Sequence, residues 1–97
     1  MKEASFYNEL IRNKSLMYTI KYEESHPVIM QRIENEILNA TENGQYMASI
    51  DFHASMISTY DVQMIPKVLD YHGFTSDWHD EDNDNGCMKI LTIHWAQ

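Results

Sequence analysis

Gln45-Tyr46-Met47-Ala48-Ser49-Ile50-Asp51-Phe52 alternates without a break: Tyr46, Ala48, Ile50 and Phe52 fall on one side, Met47, Ser49 and Asp51 on the other. A period of two marks a strand with one covered face. Cys87 to Trp95 alternates in the same way, with Leu91, Ile93 and Trp95 opposite Met88, Ile90, Thr92 and His94. Between them, Asp61 to Tyr71 places Val62, Ile65, Val68 and Leu69 at helical spacing and stops before Gly73, a residue that closes helices at little steric cost. Thr59 or Asp61 is the expected cap of that helix. Pro66, which lacks a backbone donor, is expected to kink the helix or delay its start. Phe74 to His79 alternates again and predicts another strand, and Asp80-Glu81-Asp82-Asn83-Asp84-Asn85-Gly86 reads as an acidic turn into the last one.

Upstream, Asn43 and Gly44 tolerate the left-handed conformation and should stop a helix that begins at Ser25-His26-Pro27. Ile29, Ile33, Ile37 and Ala40 form its apolar stripe. Lys2 to Glu24 reads as an earlier helix striped by Phe6, Leu10, Met17 and Ile20, with Asn13-Lys14-Ser15 a polar patch that could divide it. The expected architecture is α+β: two N-terminal helices and one crossover helix packed on a three-stranded mixed sheet, as a single domain over residues 1–97. A right-handed crossover would join the first two strands and a hairpin the last two. Tyr46, Ile50, Phe52, Trp78, Leu91, Ile93 and Trp95 should face Ile29, Ile33, Ile37, Val68 and Leu69. An uncovered sheet face would show Met47, Met88 and Ile90 as an apolar patch.

Ninety-seven residues suffice for one modest core, and 43% hydrophobic with 11% aromatic residues is the composition of a folded chain. Fifteen acids against 7 bases give a formal charge of −8. Residues 1–44 hold seven acids and five bases, net −2, and residues 45–97 hold eight and two, net −6. Such a surface repels nucleic-acid phosphates and anionic lipid, so neither is an expected partner; a basic protein is. The single cysteine, Cys87, cannot form an internal disulfide and is expected to pack rather than react. No apolar run follows Met1-Lys2-Glu3 or approaches the length of a membrane span, so a cytoplasmic chain is expected.

Asp80, Asp82 and Asp84 alternate like the first ligands of a calcium loop, but Asn85 stands where the sharp-turn glycine belongs and Leu91 where the bidentate glutamate belongs. A solvated hairpin turn is the expectation, eased by Asn85-Gly86. Five histidines (His26, His53, His72, His79 and His94) show no close ligand spacing. If the last strand runs antiparallel to the other two, His94 lies far from His53 and His79, so no metal is expected. Glycines 44, 73 and 86 are too far apart for a phosphate loop. Cys87 or a serine would need a histidine base and an orienting acid, and a chain this rich in Ser, His and Asp offers such candidates without pointing to any, so no cofactor or enzyme activity is expected.

Asn43-Gly44-Gln45-Tyr46, Leu69-Asp70-Tyr71-His72-Gly73-Phe74 and Thr92-Ile93-His94-Trp95 together resemble a loose group of small bacteriophage proteins. That group is similar in having a helix, an N-G-x-Y strand, an L-x-x-x-G-[FY] helix end and a closing T-I-x-W strand; the resemblance spans residues 28–95. Its members are largely of unknown function, so the resemblance implies a phage origin and an α+β fold. With the charge, it suggests a non-enzymatic accessory protein that binds and inhibits a host or defence protein in the infected cell. The contacts are expected at Asp77, Asp80, Glu81, Asp82 and Asp84, meeting a basic groove. The alternatives are a structural virion component, which would self-associate, and a small-ligand sequestering protein using Tyr18, Tyr22 and Trp78. The aromatic stripe of the first helix would also suit a homodimer contact.

Overall fold

A computed structural model describes residues 3–12, 14–84 and 86–95 of the chain. In order, the elements are α1 (Ala4–Arg12), α2 (Lys14–Ser25), α3 (Pro27–Glu42), β1 (Met47–His53), a 3-10 turn (Ala54–Met56), α4 (Thr59–Tyr71), β2 (Thr75–Asn83) and β3 (Gly86–His94). The fold is α+β. The long first helix is indeed two, α1 and α2, and Asn13 between them lies outside the described residues.

The sheet differs from the mixed one expected. Its order is β1-β3-β2, and both pairs are antiparallel. β1 and β2 run the same way, but β3 lies between them, so no parallel pair forms. The physical reason is visible in the side chains. β3 carries Leu91 and Ile93 on one face and Ile90 on the other, all buried, which suits a central position. β2 carries Asp77, Asp80, Glu81 and Asp82, which belong on an edge that water can reach.

Helices α3 and α4 lie against β1 and β2 respectively, α2 packs on α4 and α3, and α1 packs on α2. Neither piece of the expected first helix therefore packs mainly on the sheet. The core joins Ile50, Phe52, Leu91 and Ile93 of the sheet to Ile33 of α3, Ile65, Val68 and Leu69 of α4, and Tyr22 of α2. Ile29, Ile37, Trp78 and Trp95 pack against it as expected. Tyr46 does not: it precedes β1 and is 51% exposed.

Both helices that feed a strand end alike. Gln45 N–H donates to Ala40 and Gly44 N–H to Thr41, while Phe74 N–H donates to Leu69 and Gly73 N–H to Asp70. These paired bonds need a left-handed residue, met by Gly44 at φ 74° and Gly73 at φ 90°. The starts differ. α3 begins at Pro27 behind His26, which gives no side-chain cap, because Ser25 instead closes α2 by donating to the Tyr22 carbonyl. α4 has a capping box in which neither Thr59 nor Asp61 is the N-cap. Ser58 Oγ accepts from Asp61 N–H at 3.1 Å, and Asp61 accepts from Ser58 N–H at 2.9 Å.

Pro66 neither delays nor ends α4, which runs through it to Tyr71. Its missing N–H would have bonded the Val62 carbonyl one turn earlier. Trp78 of β2 supplies the donor instead, its indole Nε1–H lying 3.0 Å from that oxygen.

Arg32 of α3 closes the outer side of β1. Trp95 N–H donates to the Tyr46 carbonyl, so the even positions of β1 face β3 and the odd ones turn their carbonyls to the free edge. The Arg32 guanidinium donates to the Asp51 carbonyl and stands 4.5 Å over the Phe52 ring.

Candidate functional site

The acidic segment is mostly strand. β2 and β3 pair as far as Asn83 with Gly86, and Asp84 follows β2 as turn. β1 ends at His53, opposite Met88. The last rungs, Glu81 with Met88, Asp82 with Cys87 and Asn83 with Gly86, therefore form an arm at and beyond the end of β1. The five predicted contact residues are brought into one hairpin but not onto one face. Asp77 and Glu81 share the outer face with His79, Asp80 and Asp82 share the helix-side face with Trp78, and Asp84 sits in the turn. Asp82 and Cys87 are exposed even on the helix side.

Lys89 meets Asp80 at 2.9 Å, and that hydrogen bond and charge hold its ammonium pKa above the ordinary value. Desolvation, then the hydrogen bond to Asp82 and the charges of Asp82 and Asp80, push the Cys87 thiol up. It is a protonated, exposed thiol and not the packed residue its strand position suggested.

On the outer sheet face, Ile90 is buried between Asp51 and His79, Met88 is half-buried, and Met47 is exposed beside His94. Ser49, Thr75, Asp77 and Thr92 separate them, so the expected apolar patch is diluted by polar groups. His94 pairs at the Met47 and Thr75 end, whereas His53 and His79 lie toward the arm. The His53 ring is engaged with Ser55, and its Nε2 stands 3.1 Å from where a side chain at Gly86 would begin. No group of three or more His, Cys, Asp or Glu among the described residues is placed to hold a metal.

A polar cluster only half legible from spacing sits where α2, α3 and α4 meet. The Tyr22 hydroxyl donates to Asp61 Oδ1 at 2.6 Å, and the Ser58 amide and hydroxyl donate to Oδ2 at 2.9 and 2.8 Å. His26 stacks on Tyr22 with centroids 3.9 Å apart, its Nε2 3.9 Å from Asp61 Oδ1. Burial opposes ionisation of Asp61, but the bonds from Tyr22 and Ser58 outweigh it and hold the carboxyl below its ordinary range. Burial, then the bond to Asp61, drive the Tyr22 phenol far above its own. An ionised carboxylate with both oxygens occupied, beneath a phenol that stays protonated, is a tie between helices. The sequence signal for half of it was the S-x-x-D spacing of Ser58 and Asp61.

Two open grooves meet at a second polar pair. One, of about 480 Å³ between α3 and α4, is floored by Ile33, Ile37, Val68, Leu69 and Phe74. The other, of about 530 Å³ among α1, α2 and the end of α4, is walled by Phe6, Tyr7, Met17, Ile20 and Tyr71. Glu23 and His72 line both and meet at 2.6 Å. The three aromatics named for ligand capture are dispersed. Tyr18 lines a separate recess with Tyr60 and Lys67, Tyr22 is buried on Asp61, and the Trp78 N–H is held by Val62.

No protein-family model, curated protein or solved structure matches this chain. No helix among the described residues is long and apolar enough to cross a membrane.

Proposed function

We propose that this chain is a non-enzymatic binding protein whose β2–β3 arm enters a basic cleft on a partner protein. One observation carries the reading: five carboxylates ride on a single hairpin, and Lys89, held by Asp80, is its one ammonium partner among the described residues. The ladder fixes the spacing of the charges, so less ordering entropy opposes binding than for a flexible acidic tail. Because Asp77 and Glu81 face one way and Asp80 and Asp82 the other, the arm suits a cleft that grips it from both sides rather than a flat patch. The phage-like residue pattern supports a host or defence protein as that partner, met in the cytoplasm of the infected cell, with inhibition as the outcome.

The test is capture from host lysate by the tagged protein, at rising salt, beside a variant carrying Asp77→Asn, Asp80→Asn, Glu81→Gln, Asp82→Asn and Asp84→Asn. One host protein retained near stoichiometrically, lost with salt and lost in the variant, is the expected result. Equal capture by the folded variant would sink the assignment. Recovery in purified particles would move the weight to a virion component.

A further inference from the structure

The two grooves that meet at Glu23 and His72 have no part in the arm, and a role for them stands apart from any role of the arm. We infer that together they form a docking site for a cationic amphipathic helix of a protein partner. The floor of the first groove and the walls of the second are apolar, as a helix's buried stripe requires. Both are open along their sides: Leu38 is 57% exposed, Tyr71 49% and Tyr7 44%. Small-molecule sites enclose most of their ligand, and these do not. An open apolar trough interrupted by one polar pair suits a helix with two apolar anchors and a basic residue between them. Anchors seven positions apart lie about 10 Å apart along a helix axis.

Charge decides the sign of the occupant. The lining holds Glu23, Glu24 and Glu34 against Lys21, with His72 already bonded to Glu23. A second copy of this chain would bring one molecule of formal charge −8 against another. A helix bearing lysine or arginine beside its apolar stripe would instead meet the carboxylates at the rim and set Phe6, Tyr7, Tyr71 and Phe74 within reach of cation–π contact.

The experiment uses a fluorescein-labelled leucine–lysine helix of about 18 residues, long enough to be helical when bound. It is compared with a scrambled peptide of the same composition, at about 150 mM salt, by fluorescence anisotropy. The amphipathic peptide should bind at least tenfold more tightly than the scramble. Leu38→Lys combined with Tyr71→Lys, both exposed positions, should weaken it at least tenfold while the circular dichroism spectrum is unchanged. Asp80→Asn with Asp82→Asn and Asp84→Asn should weaken it less than threefold. Equal binding of the scramble, or loss of binding in the arm variant alone, would overturn the inference. So would self-association, seen by analytical ultracentrifugation, that the Leu38 and Tyr71 substitutions abolish, because the groove would then belong to a second copy.

Discussion

At its body end the β2–β3 ladder sets Trp78 opposite Leu91, with Ile50 on the next strand and α4 beneath; at its outer end it sets Asp82 opposite Cys87, with β1 finished and both residues exposed. The backbone pairing is the same along its whole length. What changes is the apolar area removed from water, and that change divides a part that holds the fold from a part that is free to carry charge. A strand can serve both purposes because its ladder bonds are local to each rung, whereas its stability is lent by whatever covers it.

The sharpest way to break this contrast is Leu91→Ala. Leu91 is fully buried at the sheet centre, so the loss should be about 3 kcal/mol or more, read from urea denaturation. A loss under about 1 kcal/mol would mean that burial does not hold the body end.

Tyr22→Phe should cost about 2 kcal/mol, since it removes a hydrogen bond to a buried carboxylate. It should also change the acid limb. Because the folded Asp61 carboxyl lies below its ordinary value, its contribution is complete above the ordinary carboxylate range and is lost as pH falls through the folded value. Without the Tyr22 hydroxyl, the fall in stability on acidification should be shallower; an unchanged acid limb would show that the tie does not act through Asp61.

Trp78→Phe keeps an aromatic ring beside Phe52 but withdraws the donor from the Val62 carbonyl, at about 1 kcal/mol for the bond on top of the contacts the smaller ring gives up. Adding Pro66→Ala restores a backbone donor to the same oxygen, so the double variant should recover part of that loss. A double-mutant cycle with no coupling would refute the repair.

The smallest effect is expected from Glu81→Gln, Asp82→Asn and Asp84→Asn, each within about 0.5 kcal/mol as exposed substitutions. Amide exchange should divide the ladder in the same way, with the bonded amides of Glu81 and Met88 exchanging by local opening and those of Ile90 and Thr92 only on global unfolding. Equal protection at both ends would erase the distinction between body and arm.

Features written within one element were legible. The alternation of Ala48, Ile50 and Phe52, the stop at Gly73 and the extent of α3 to Glu42 all follow from local periodicity and caps. Features that depend on meeting a distant residue were not. The sheet order depends on which strand β3 pairs with on its second edge, and alternation is silent about neighbours. Tyr22 and Asp61 are 39 positions apart, so their bond has no spacing signature. The composition of the acidic run points to water and hence to a turn, yet a strand on an edge is equally wet and needs only its partner's backbone. The contact residues could be named from charge, but their division between two faces needed the pairing register.

The bond from Trp78 to the Val62 carbonyl also bears on the order in which the chain folds. Sixteen positions separate donor and acceptor, and until β2 docks, α4 has an open rung at Pro66 that only water can fill. Helices of about a dozen residues are marginal in water even without such a gap. Residues 58–74 cut out as a peptide should therefore be mostly unstructured. In the intact chain the ladder of α4 is complete only when the hairpin is seated, so the helical turn at Pro66 and the docking of β2 should be lost together in a Trp78 variant.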